Sequence, residues 1–156
     1  FRGHIIVTTK NIKNQGFTLV ELLIVIVIIA ILTVVSLVAY NGLQNQAKTS
    51  AAKSAADAVA KKAELYNTAK SKYPHQLSDL TDKTTGTPPV SQTGEPYYLD
   101  EKTVKTPGTA LADGHAPTEG ANAIEYHPCG TNDSGAEVKY YNFSTNKVES
   151  RQIGSC

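Results

Sequence analysis

Methionine is missing from all 156 residues, position 1 included, so the true start of the translated chain is expected upstream. Cysteine occurs only at Cys129 and Cys156. His127-Pro128-Cys129 is a two-ligand fragment without the paired spacing of a zinc site, and His75 and His115 stand apart from it, so no metal is expected. No glycine-rich phosphate loop and no nucleophile elbow are present, which leaves no catalytic constellation and no expected cofactor; an enzyme is not expected. A strong net charge is also missing. At +1 the chain has no bulk attraction for nucleic acid. Proline is absent before Pro74, so no residue in the first half forces a helix to break.

The charge that is present is segregated. Residues 1–16 carry Arg2, Lys10 and Lys13 and no acid. Residues 41–72 carry six lysines against Asp57 and Glu64, a basic stretch with room for a lysine stripe. From Tyr73 onward six bases face eleven acids.

Between the first two parts runs an apolar stretch of 24 residues, 17–40, in which only Thr18, Glu21, Thr33 and Ser36 are distinctly polar. At about 1.5 Å rise per residue such a helix crosses a hydrocarbon core of about 30 Å. A buried helix in a soluble core fits poorly, because a small core cannot cover so long an apolar surface on every side. A cleavable secretory signal fits poorly too, since its apolar region is about 7 to 15 residues long. Lys10 and Lys13 place the leader in the cytoplasm and everything after Tyr40 on the far side.

Residues 41–72 are rich in alanine and lysine, both good helix formers. Ala52, Ala55, Val59, Ala63, Tyr66 and Ala69 recur at spacings of three and four and form one narrow apolar stripe. Lys53, Asp57 and Lys61 are spaced to pair on the opposite face. The apolar helix is therefore expected to continue outward as an amphipathic one, with Gly42 the expected point of bending. Pro74 sets its end near Lys72.

Residues 73–80 read as a turn and a short helical turn returning Leu77 and Leu80 to the core. Residues 81–121 hold five of the seven prolines and read as a long irregular connection anchored by Tyr97, Tyr98 and Leu99. Segments 122–129, 136–143 and 147–153 read as strands, the last two joined by a short hairpin at Ser144, Thr145 and Asn146. The expected fold is α+β, a long N-terminal helix packed against a small antiparallel sheet. The expected parts are a leader (1–16), a transmembrane helix (17–40), an amphipathic helix (41–72) and a globular head (73–156).

Cys129 and Cys156 read either as two free thiols or as a disulfide. On the far side of a membrane, in an oxidising compartment, the disulfide is expected. Asn132-Asp133-Ser134 and Asn142-Phe143-Ser144 fit the glycosylation sequon, a pattern frequent by chance, and neither is assigned a role.

A carboxylate at Glu21, inside the apolar run, needs a reason. Thr18 and Glu21 have the spacing of a capping box, and an acid in a first helical turn suits the helix dipole. Capping leaves unexplained why Gly16 and Phe17 lie immediately upstream. The stretch KNQGFTLVELLIVIVIIAIL, residues 13–32, resembles the class III signal of type IV pilins and pseudopilins. The likeness rests on a basic leader ending in Gly16, then Phe17, Thr18, Leu19 and Glu21 ahead of an apolar helix.

That resemblance implies cleavage between Gly16 and Phe17 by a prepilin peptidase and methylation of the new Phe17 amine. It implies roles for Thr18 and Glu21 in assembly, and a C-terminal disulfide like that of many pilins. The implied partners are other copies of the chain in a helical filament, the peptidase, the inner-membrane assembly machinery and the membrane. A surface or DNA ligand is left unnamed. The expected function is a structural subunit of a pilus, made as a single-pass membrane precursor and ending in a cell-surface filament. A pseudopilin of a secretion or DNA-uptake system is the alternative, and a monomeric anchored binding protein is a third.

Overall fold

The fold was established from a computed structural model, which describes residues 16–81 and 91–156. The leader charges Arg2, Lys10 and Lys13, and residues 82–90 of the irregular connection, lie outside the described residues. The described chain is α+β: one long helix, α1 (Leu19–Lys70), a 3-10 turn (Leu77–Asp79), and three strands, β1 (Glu125–Cys129), β2 (Gly135–Asn142) and β3 (Lys147–Gly154). The strands form an antiparallel sheet in the order β1-β2-β3.

The chain divides into two compact units at Asn41 and Gly42, and α1 contributes to both without interruption through Gly42. In the first unit every large apolar side chain from Phe17 to Tyr40 is at least 49% exposed. Each such side chain left in water forgoes about 1.5 to 3 kcal/mol, so together they forgo tens of kcal/mol. Water is not the medium this surface is built for.

In the second unit the alanine-rich half of α1 supplies Ala52, Ala55, Ala56, Val59, Ala60 and Ala63 to the core. Small side chains let the helix backbone sit close to the sheet, whose Ala136, Val138 and Ile153 meet it in the same cluster. Alternation along β2 puts Ala136, Val138 and Tyr140 in this cluster and leaves Tyr141 to pack edge-on against Phe143, with ring centres 5.0 Å apart. The irregular connection is anchored by Tyr97 and Leu99, both 3% exposed; the Tyr97 ring meets Tyr66 of α1 edge-on at 4.9 Å. Leu80 is fully buried behind the 3-10 turn, and Leu77 packs against the same cluster.

Four details differ from the pattern in the sequence. The helix ends at Lys70, two residues short of Lys72, because Ser71 turns into the left-handed region, φ 61°, three residues ahead of Pro74. Ala69, in the last turn, is exposed and does not extend the stripe. Strand β1 starts at Glu125 because the backbone of 122–124 is already taken: Lys105 N–H donates to Asn122 O and Ile124 N–H to Lys105 O, both at 2.9 Å. Asp57 does not pair with Lys53 or Lys61; Arg151 of β3 reaches across to it.

Cys129 and Cys156 are joined, their Cα atoms 5.1 Å apart. The last residues are held twice over, since Ser155 N–H donates to Ser134 O at 3.0 Å and Ser134 Oγ donates to Ser155 O at 2.6 Å. Gly154 (φ 69°) sits opposite Gly135 in the ladder; a Cβ on it would lie 2.5 Å from both Ser134 O and a Tyr73 ring carbon. Only glycine fits there. Closing a loop of 27 positions removes chain entropy from the unfolded state. Cys129→Ser is therefore expected to lower unfolding stability by about 2 to 5 kcal/mol. Denaturant unfolding with and without the substitution measures it, and coincident curves would remove the disulfide from the account.

Candidate functional site: the helix start and its apolar surface

Gly16, Phe17 and Thr18 precede the helix and are exposed. Thr18 is the residue on which the helix is built: Leu22 N–H donates to Thr18 O at 3.1 Å. Glu21 N–H donates to Thr18 Oγ1 at 3.1 Å, and Thr18 N–H donates to Glu21 Oε2 at 3.3 Å. Both arms of a capping box are thus made, and two of the four orphan N–H groups of a helix start are satisfied. The Glu21 carboxylate also faces the positive end of the helix dipole. The peptide bond between Gly16 and Phe17 lies ahead of all this, outside the helical hydrogen bonds.

Beyond Glu21 the surface carries few polar groups, and the structure shows how one is accommodated. Thr33 Oγ1 donates to Ile29 O at 2.7 Å, so its hydroxyl needs no water. Thr33 and Ser36 lie in a shallow groove with Ile29, Leu32, Leu37 and Tyr40. Leu19–Lys70 is long and apolar enough at its start to cross a membrane.

A family model, the prokaryotic N-terminal methylation motif, matches residues 11–37. The chain carries this motif, the class III signal of type IV pilins and pseudopilins. No curated protein and no solved structure matches the chain. The motif points to a structural subunit rather than an enzyme, and with the apolar helix it fits a membrane-anchored precursor processed by a prepilin peptidase.

The two ends singled out in the sequence belong to different units: Gly16, Phe17, Thr18 and Glu21 to the first, Cys129 and Cys156 to the second. Among the described residues no group of three or more His, Cys, Asp or Glu side chains is placed to hold a metal.

A polar bracket in the second unit was not foreseen from the sequence. Thr49 of α1 donates to Asn45 O (2.8 Å) and accepts from Phe143 N–H (3.0 Å). Asn142 Oδ1 accepts from Ser144 N–H and Thr145 N–H, while its Nδ2 donates to Glu149 Oε1 at 2.9 Å. The Asn142 side chain is therefore a hairpin device, its oxygen and its nitrogen both engaged. The available signal was an asparagine just before a four-residue turn, a position where its side chain bonds backbone two and three residues on. Tyr140 donates to the other Glu149 oxygen at 2.7 Å. Burial, reinforced by that bond, pushes the Tyr140 phenol up to about 12, and the bonds from Tyr140 and Asn142 hold the Glu149 carboxyl below its usual range.

Glu125 is treated similarly on the outer face. Burial raises its carboxyl, but His127 Nε2 at 2.9 Å and the Leu111 N–H outweigh that and lower it.

Proposed function

We propose that the chain is a structural subunit of a type IV pilus, stored in the membrane as a precursor and polymerised through α1. The observation that carries this reading is the methylation motif at 11–37 sitting at the start of a helix whose apolar surface as far as Tyr40 is uncovered. The parts then have consecutive tasks. The basic leader holds the start of the chain in the cytoplasm, and 17–40 rests in lipid. A prepilin peptidase cuts between Gly16 and Phe17 and methylates the Phe17 amine. Assembly moves the same apolar surface from lipid to a sheath of neighbouring copies of α1, so that it never meets water. Residues 73–156 form the head that coats the filament, its chain end closed by Cys129 and Cys156.

Glu21 has a second task in this scheme. While the leader is attached, its carboxylate is turned back on Thr18. Cleavage creates a cation at Phe17, four residues away, at membrane depth. A charge left unpaired there costs several kcal/mol, so a carboxylate from the same or an adjacent copy becomes its partner and fixes the register between copies.

Electron microscopy of material sheared from cells, labelled with antibody to the head, tests the reading. Long labelled filaments are expected. Labelled stubs that stay with the envelope would make the chain a pseudopilin of a secretion or DNA-uptake system, and single chains that never cross-link to one another would make it an anchored monomer.

A further inference from the structure

The second unit has flanks of opposite charge, and they lie at opposite edges of the sheet. β3 is the outer strand on one side. The carboxylates on that flank are already used, Asp57 by Arg151, Glu149 by Tyr140 and Asn142, and Asp113 by the Val148 N–H of β3 at 2.7 Å. Lys53, which lies close enough to Glu149 to act on its charge, and Lys61, one helical turn beyond Asp57, are exposed. Lys147, at the start of β3, is exposed as well. Among the described residues the ion pairs involve His75, His127 and Arg151, so none of these lysines closes one within its own chain.

The other edge is set by Lys105, whose backbone pairs with 122–124 ahead of β1. Here the excess is acidic. Glu95, Asp100 and Glu101 are all exposed, against one exposed lysine, Lys102, between them and Lys105. The Lys102 backbone N–H donates to Asp100 Oδ1 at 2.9 Å, and Glu101 shares a shallow groove with Glu119 and Lys105. Lys62, the helix lysine nearest this side, is spent on Pro96 O at 3.2 Å.

Two complementary patches on different sides of one chain cannot satisfy each other in a closed two-fold pair. A contact between them is head-to-tail, the kind that repeats into a ring or an open helix. From this we infer that the Lys53–Lys61 flank of one head docks on the Glu95–Glu101 flank of the next copy. The inference rests on the filament reading above and adds to it the surface that sets how adjacent heads meet. Opposed charges of this kind fix partner choice and register more than total affinity.

Charge reversal in the full-length chain tests it. Lys53→Glu and Glu101→Lys are made separately and together, and sheared filament is measured per unit of subunit in the membrane. Each single reversal is expected to lower that ratio by about threefold or more, since an exposed pair is changed from attraction to repulsion at every repeat. The combined variant is expected to return to within about twofold of the unmodified chain, because the pair is restored with its signs exchanged. Normal ratios for both single variants, or a combined variant no better than the worse single one, would overturn the contact while leaving the filament intact. Absence of filaments from the unmodified chain would instead overturn the filament reading, and this contact with it.

Discussion

Gly16→Val is expected to leave the chain uncut and to abolish filaments, the largest effect of any single substitution here. The bond proposed to be cut follows a residue with no side chain and lies two residues before the first helical position, Leu19. Backbone at that point is exposed and unconstrained by helical hydrogen bonds, so a peptidase can bind it extended. In the family that this segment resembles, the peptidase pocket takes glycine at this place. Valine would put three carbons where none fits, and a misfit of a single methylene already changes such a rate by about 10- to 200-fold. Blotting of membranes for the head would show a single band retaining the leader. A normal ratio of cut to uncut chain would mean that Gly16 does not define the site.

Two tasks, the capping that the structure shows and the proposed pairing with the Phe17 amine, would share the one carboxylate of Glu21. The capping box is made in full, so capping is a real contribution of this residue and not a rival to be dismissed. Glutamine would preserve it, because its side-chain oxygen still accepts from Thr18 N–H. Glu21→Gln should therefore fold, insert and be cut at Gly16 as before. What it lacks is the charge to neutralise the Phe17 amine. Removing one member of an ion pair in low dielectric costs about 3 to 5 kcal/mol, enough to reduce filament yield well beyond tenfold. Glu21→Val loses the cap as well and should assemble no better. Filament yield per membrane subunit reads the difference, and normal filaments from Glu21→Gln would return the residue to capping alone.

The helix was legible because its signals are local and redundant: an unbroken apolar run, then small apolar residues at spacings of three and four, of which the structure buries Ala52, Ala55, Val59 and Ala63. The three strands were legible to within three residues at their ends from β-branched and aromatic content. What the sequence hid depends on distant partners. Asp57 has lysines four residues away on either side, yet Arg151, 94 positions on, takes it, because the packed sheet brings β3 to that face. Lys105 shortens β1 through a backbone bridge that no side-chain pattern records. Asn142 stands in a sequon, and nothing in those three letters records that its side chain also ties the hairpin. At the helix start the reverse holds, since both arms of the Thr18–Glu21 box lie within four residues and were readable at once.

Sheared filaments hold the most direct test of the central claim, that this chain polymerises after losing its leader at Gly16. Intact mass and N-terminal sequencing of the main filament protein should give a chain beginning at Phe17, heavier than the cut sequence by the CH2 that one N-methylation adds and lighter by the two hydrogens of a Cys129–Cys156 bond. A filament built from chains that still carry residues 1–16 would contradict it.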